Sequence, residues 1–324
     1  MNNHKLLLIN KIFIVIMVFV ISTCAAAETN TSTTTVSMDI RQMSGFTKFI
    51  IGGYLLYNGY IYRLESELSY PIDTLFAGAR ISTNSKNKWF TFYAGKNLTN
   101  PSNAMIDIDR LKYYTLVYDF SRTESRSMLD SFIVDTRMGW NIGSATDIKI
   151  DFTAGFLYQH FMFRLSGIDG WQIDSYDRKV YFNIYQDTLV LTYEINYMVP
   201  YVGFITRTLD FLDVNVFYSI FAKANDIDYH LLRNKRSESS CSGTLLTGEF
   251  GKSFKIGKNN GRFEWFAELW YKIDLFNLKG NQNQYWYGDD PISSINDTGS
   301  SINDIETEII SQQEAYNISA GFKF

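Results

Sequence analysis

The sequence predicts an all-β chain, a transmembrane antiparallel up-and-down β-barrel of about ten strands, from three observations. It opens with the layout of an export signal. Its interior carries apolar residues at every second position, with no apolar run long enough for a membrane helix, and it closes on a terminal phenylalanine.

Lys5 and Lys11 precede an apolar run from Ile12 to Ile21, and small residues follow, ending at Ala25, Ala26 and Ala27. Such a run suits the core of a secretory signal, roughly 7 to 15 residues, and not a span of roughly 20. Cleavage after Ala27 is expected, with residues 1–27 as signal peptide and residues 28–324 as one outer-membrane barrel. The competing reading, a lipoprotein acylated at Cys24, is disfavoured by Thr23 before it.

The whole chain holds 34 acidic and 30 basic residues, and cleavage would remove two of the basic ones. The net negative charge argues weakly against nucleic-acid or polyanion partners. Only Cys241 remains after cleavage, so no intramolecular disulfide is possible and hydrogen-bonded structure must hold the exported chain together. His160 and His230 are the only mature histidines and lie far apart, so a zinc site would need carboxylates almost throughout; neither metal nor cofactor is expected.

The chain is 16% aromatic, with 22 Tyr and 25 Phe. From Arg262 to Ile273, Phe263, Trp265, Ala267, Leu269, Tyr271 and Ile273 share one face, while Arg262, Glu264, Glu268 and Lys272 share the other. A side-chain period of two then presents an apolar face to lipid and a charged face to the lumen. A soluble sandwich would alternate too. The C-terminus separates the readings: Tyr316, Ile318, Ala320, Phe322 and Phe324 alternate to the last residue, as in the signal by which bacterial barrels are recognised for assembly. Closure also leaves no unpaired sheet edge in hydrocarbon.

Strands are expected near 36–52, 59–82, 89–106, 127–140, 147–166, 185–205, 212–225, 242–256, 262–279 and 313–324. Tight turns fall at Asn84 to Asn87, Asn141 to Ala145, Arg207 to Asp210 and Gly257 to Gly261, all rich in Gly, Asn or Asp. The expected outer loops are 53–58, 107–126, 167–184, 226–241 and 280–312. No internal repeat or second domain is visible.

Two short constellations stand at the starts of expected outer loops: Asp107-Ile108-Asp109 and Asp226-Ile227-Asp228-Tyr229-His230. In an extended chain residues two apart share a face, so Asp107 points with Asp109 and Asp228 with His230. A carboxylate beside an imidazole orients it and favours its charged form, while two close carboxylates tend to share a proton. Such a set could activate a water. Each Asp-x-Asp alone is weak evidence, because acidic loops produce the pattern by chance, and a lone loop histidine is usually a solvated surface residue.

At these residues the chain resembles the omptins, ten-stranded outer-membrane endopeptidases that use an Asp-Asp and a His-Asp pair across the barrel mouth. Met105-Ile106-Asp107-Ile108-Asp109 and Asp226-Ile227-Asp228-Tyr229-His230 look like two segments of that family. Ser44-Gly45-Phe46-Thr47-Lys48, Ser66-Glu67-Leu68, Glu124-Ser125-Arg126, Pro200-Tyr201-Val202-Gly203 and Ala320-Gly321-Phe322-Lys323-Phe324 fall in the family's order. The resemblance implies Asp107, Asp109, Asp228 and His230 as catalytic residues, Asp226 as a substrate-pocket acid, a polypeptide substrate, and an active end facing the cell exterior.

Departures accompany the resemblance. Omptins favour cleavage between basic residues through acidic pocket groups, and here Phe49 aligns with the second of these, leaving a basic side chain one charge partner short. Arg110 replaces an aromatic residue after the Asp pair, and a cation so near Asp109 is expected to lower its pKa and disfavour proton sharing. The positions nearest the family's lipopolysaccharide site are Phe156, Tyr158, His160 and Asn196, read as an interfacial aromatic belt, so a lipopolysaccharide requirement is unsupported. Parity adds a further difficulty. Val214, Val216, Tyr218 and Ile220 mark even positions as outward, yet Asp228 and His230 are even. A β-bulge near Ala224 or Asn225 would reset the alternation. The alternative function is a non-enzymatic barrel with a structural, adhesive or host-contact role. A porin is a poorer third reading, because inward side chains fill so small a barrel.

Overall fold

The computed structural model describes residues 32–57, 60–113, 116–145, 148–174, 176–208, 212–256, 264–291, 293 and 295–324. The expected signal peptide and the tight turn at residues 257–261 lie outside them. The described chain forms strands β1 (Thr33–Tyr57), β2 (Tyr60–Pro71), β3 (Thr74–Ser85), β4 (Lys88–Asn97), β5 (Met105–Tyr113), β6 (Leu116–Ala145), β7 (Ile148–Ile173), β8 (Lys179–Thr208), β9 (Asp213–His230), β10 (Lys235–Ile256), β11 (Glu264–Trp286) and β12 (Ser301–Lys323).

All pairings are antiparallel, and β12 pairs with β1 from Thr35↔Lys323 to Gly52↔Glu306, which closes the sheet. Two staves of the barrel are each built from two strands. β2 and β3 both pair with β1, end to end. β4 and β5 likewise share β6 as a neighbour, so twelve strands make a ring of ten staves.

Each interruption has a local cause. Pro71 cannot donate to the ladder and ends β2. Beside it Gly45 takes φ +115°, and a Cβ there would lie 2.1 Å from the Gln312 carbonyl oxygen. Its carbonyl accepts the Ile72 amide at 3.0 Å. Between β4 and β5, side-chain amides replace lost backbone pairing. Asn97 accepts from the Ser131 amide at 2.8 Å and donates to the Leu129 carbonyl at 2.7 Å, while Asn100 accepts from the Leu129 amide at 3.0 Å.

Thr34 and Phe324, near the two ends of the described chain, exchange backbone hydrogen bonds at 3.0 Å at one end of the barrel. Towards that end the outer face is apolar, with Met38, Ile40, Val202, Phe204, Val216, Tyr218, Leu246, Phe250, Trp265, Leu269 and Ile318 exposed. The alternation expected from Arg262 to Ile273 is present where described: Trp265 and Leu269 face out, while Glu268 faces in and binds Arg80 at 2.8 Å. Further along the same strands the outward residues turn polar, among them Lys223, Asn225, Ser240, Asn277, Lys279 and Asn281. The apolar belt is the membrane-crossing zone, and the strands continue past it.

That continuation corrects the expected outer loops. Residues 107–113, 116–126, 167–173, 179–184, 226–230 and 235–241 are strand, and in the last loop residues 280–286 and 301–312 are strand as well. Beyond the bilayer neither face need be apolar, so the period-two signal disappears while the backbone ladder persists. Asn141 to Ala145, expected as a turn, is likewise the end of β6.

Inside the membrane zone the lumen is filled with paired charges. Arg137 meets Asp135 and Glu249, each at 2.6 Å, and Arg80 meets Asp39 at 2.8 Å. Tyr201 also donates to Asp135 at 2.5 Å. Above them lies an aromatic layer in which Tyr70 stacks on Tyr193 with centroids 4.3 Å apart and Phe163 flanks both. The far mouth of the barrel begins over this layer.

Candidate active site

Asp107 and Asp109 lie on β5, paired with Leu68 and Ser66 of β2 and with Thr123 and Ser121 of β6. Both point into the mouth. Ser66 donates to Asp107 at 3.4 Å and Ser121 to Asp109 at 2.7 Å. Immediately after Asp109 the β5–β6 register shifts, with Arg110 opposite Asp119 and one extra residue on β6.

Asp226, Asp228 and His230 lie on β9, paired across β10 with Ser239, Ser237 and Lys235. Their inward aim depends on a β-bulge. Ser219 pairs with Leu245 and Ala222 with Gly243, so Ile220 and Phe221 together oppose Thr244. Both bulged residues face outward, and odd positions inward before them give way to even positions after them. The bulge expected near Ala224 or Asn225 therefore exists a few residues earlier, at the upper edge of the apolar belt.

Asp228 is 2% exposed, and His230 Nε2 lies 3.4 Å from its Oδ1, in contact but outside hydrogen-bond geometry. Asp226, buried against Ser239, accepts that hydroxyl's hydrogen bond. Among the described residues, Asp226 Oδ1, Asp228 Oδ1, Ser237 Oγ and the hydroxyls of Tyr70 and Tyr193 are buried without a hydrogen-bond partner. Each such group costs roughly 1–3 kcal/mol, and others, among them Thr153 Oγ1 and Asn215 Oδ1, lie elsewhere along the barrel; in the mouth they include two carboxylate oxygens open to a further partner.

β5 and β9 stand on opposite walls of the ring. The two pairs nevertheless share an electrostatic neighbourhood: Tyr70 feels Asp228, Asp107 and Asp226, and Lys235 feels Asp228 and Asp107. Burial, and then the charge of Asp109, push the Asp107 carboxyl up to about 7. Burial also raises Asp226 to about 7, against the hydrogen bond from Ser239. Asp107 thus keeps a proton up to near neutral pH.

Arg110 does not act as expected. It follows Asp109 on the strand and so faces the other side, where it binds Glu67 at 2.5 Å and Asp119 at 3.0 Å. Lys48 joins Glu67 at 2.7 Å and Lys112 joins Glu65 at 2.6 Å. The guanidinium is committed to this outer-wall network and faces away from the Asp pair.

Phe49 is wholly buried in the aromatic layer, 5.7 Å from the Tyr193 ring, whose hydroxyl feels Asp226. It forms floor beneath the mouth and reaches Asp226 only through Tyr193. On the outer face, Asn196 Oδ1 lies 2.7 Å from the Tyr158 hydroxyl and 2.9 Å from His160 Nδ1, and Phe132 packs on both rings. These polar groups are tied to one another. Tyr70, Ser66, Ser121, Ser239 and Lys235 escaped the sequence reading. Parity with Leu68 would have aimed Ser66 and Tyr70 inward, whereas Lys235 fell in an expected loop, where no face could be assigned.

The omptin family model matches residues 78–312. Among solved structures, the crystal structure of the outer membrane protease OmpT from Escherichia coli matches with a TM-score of 0.67 at 15% identity, covering 91% of this chain and 97% of that one. The translocator domain of the autotransporter NalP from Neisseria meningitidis aligns over 94% of this chain and 92% of that one, at 10% identity and a TM-score of only 0.31. No curated protein matches the sequence. The family match spans the Asp pair, Asp226, Asp228 and His230, and on it the chain belongs to the omptin family.

Proposed function

We propose that the protein is an outer-membrane endopeptidase whose active mouth faces the cell exterior and hydrolyses peptide bonds of polypeptides there. One observation carries the reading: the Asp107 and Asp109 carboxyls and the Asp228–His230 contact stand on opposite walls of one mouth, and both Asp228 and Asp107 act on the same Tyr70 hydroxyl. In the proposed reaction His230 takes a proton from a water placed between the walls. Asp228 orients the ring and stabilises its charged form. The Asp107–Asp109 pair gives its shared proton to the departing amine. General acid–base help of this kind is worth roughly 10² to 10⁴ in rate.

The same reading places Asp226 as the acid of a substrate pocket. With Phe49 below it in place of a second acid, the pocket offers a basic side chain one carboxylate, and its preference shifts towards less basic residues. The non-enzymatic alternative draws on one feature, the exposed tyrosines Tyr176, Tyr181 and Tyr185 on the arm formed by β7 and β8, which suit a contact surface.

Cleavage of a mixed peptide library by the refolded barrel, with and without added lipopolysaccharide, decides between them. Folded His230→Ala and Asp228→Ala variants are each expected to lose at least about 100-fold in rate. Absence of cleavage by the unaltered barrel in both conditions would leave the non-enzymatic barrel as the better account.

A further inference from the structure

Hydrolysis as proposed above leaves one charge without a partner. When water adds to an amide carbonyl, the carbonyl π pair moves onto oxygen, and the oxyanion that results must be stabilised in a site otherwise made of three carboxyls and an imidazole. Preorganised donors aimed at such an oxygen are usually the largest single contribution to catalysis.

Lys235 is the first residue of β10, directly across the ladder from His230 on one side and from Trp286 on the other. Its side chain points inward with those of Ser237 and Ser239 and is 6% exposed. The ammonium lies 5.9 Å from the centroid of the Trp286 ring. Among the described residues no carboxylate approaches it within 4.0 Å, yet it feels Asp228 on its own wall, Asp107 on the opposite wall, and Arg233 and Asp290 at the rim. Arg233 is already held by Asp290 at 2.8 Å, and Arg110 faces away, so neither guanidinium is free to serve the mouth. A buried ammonium with its counter-ions near but not in contact is costly for folding alone. A negative charge arriving between the walls would complete it.

We propose that Lys235 is a further catalytic residue, its ammonium donating a hydrogen bond to the carbonyl oxygen of the scissile peptide as that oxygen becomes negative. The inference rests on the endopeptidase reading. In the full step the water oxygen bonds to the carbonyl carbon and its proton passes to His230. The pair on the oxyanion then returns to re-form the carbonyl as the C–N bond breaks, and the amine leaves with the proton of the Asp107–Asp109 pair. Lys235 acts as the ammonium throughout: burial lowers its pKa, and the charges of Asp228, Asp290 and Asp107 oppose that fall.

The test is steady-state cleavage, by the refolded full barrel, of a peptide the unaltered protein cuts, beside Lys235→Ala, Lys235→Arg and His230→Ala. Folding is checked by the gel mobility of unheated samples. Lys235→Ala is expected to lose roughly 10²- to 10³-fold in kcat with KM within about threefold, as for loss of one oxyanion donor. Added ethylammonium is expected to restore part of that rate, which a purely structural role would not allow. Lys235→Arg is expected to keep more activity than Lys235→Ala, and it carries the test if the alanine variant fails to fold. Unchanged kcat in Lys235→Ala, or a defect confined to KM, would overturn this role while loss of cleavage in His230→Ala left the endopeptidase standing. Absence of cleavage by the unaltered barrel would bring down both.

Discussion

The lumen inside the membrane belt and the mouth beyond it are built from the same residue types and solve opposite problems. In the belt, each of the carboxylates Asp39, Asp135 and Glu249 touches a guanidinium within 2.8 Å. In the mouth, Asp107, Asp109 and Asp226 meet serine hydroxyls, Asp228 meets an imidazole, and the buried ammonium of Lys235 stands off from all of them. Paired charges fill and stiffen a barrel; unpaired ones cost stability and persist where something else must bind. The difference is what singles out the mouth for the proposed function, independently of the family to which the chain belongs.

The comparison is broken most forcefully from the belt side. Replacing Arg137 with Met leaves Asp135 and Glu249 buried without their cation, and is expected to cost about 3–5 kcal/mol, read as a lower midpoint in denaturant unfolding. A change below about 1 kcal/mol would show that the belt charges are not coupled as their distances imply.

A smaller effect of opposite sign is expected in the mouth. Asp107 and Asp226 have folded-state pKa values raised to about 7, so between about pH 4 and 7 the folded barrel holds protons that the unfolded chain releases. The associated stability is full below the unfolded carboxylate range and is lost as pH rises through 7. Asp226→Asn is therefore expected to raise the unfolding midpoint at pH 8, by on the order of 1 kcal/mol, and to leave it nearly unchanged at pH 4. Equal effects at both pH values would contradict the assignment.

The smallest effect belongs to Arg110. Because it binds Glu67 and Asp119 on the outer wall, Arg110→Gln is expected to change stability by less than about 1 kcal/mol and to leave peptide cleavage and its pH dependence intact. A displaced pH profile would mean that the guanidinium reaches the Asp pair after all.

How far the sequence could be read follows the same boundary. Within the belt, lipid on one side and lumen on the other impose strict alternation, so Trp265, Leu269, Glu268 and Lys272 could be assigned to faces from their order alone. Past the belt both faces are wet, and the strands at residues 107–113, 116–126, 226–230 and 235–241 looked like loops. Arg110 illustrates the consequence. Its position next to Asp109 suggested a neighbour, whereas in a strand adjacent residues point apart. The parity conflict at Asp228 and His230 correctly demanded a bulge, but bulges carry little local signature, and Ile220–Phe221 is a pair of apolar residues like many others in the belt. Lys235 was invisible for a related reason: only the β9–β10 register brings it opposite His230.

The most direct test of the account is the pH dependence of kcat/KM for the refolded barrel on a peptide it cleaves, measured beside Asp107→Asn. The rate is expected to fall near neutral pH as Asp107, raised to about 7 by burial and then by the charge of Asp109, loses its proton. The falling limb should be displaced or missing in Asp107→Asn. A falling limb that Asp107→Asn leaves unmoved would contradict the claim that the proton held between Asp107 and Asp109 takes part in the reaction.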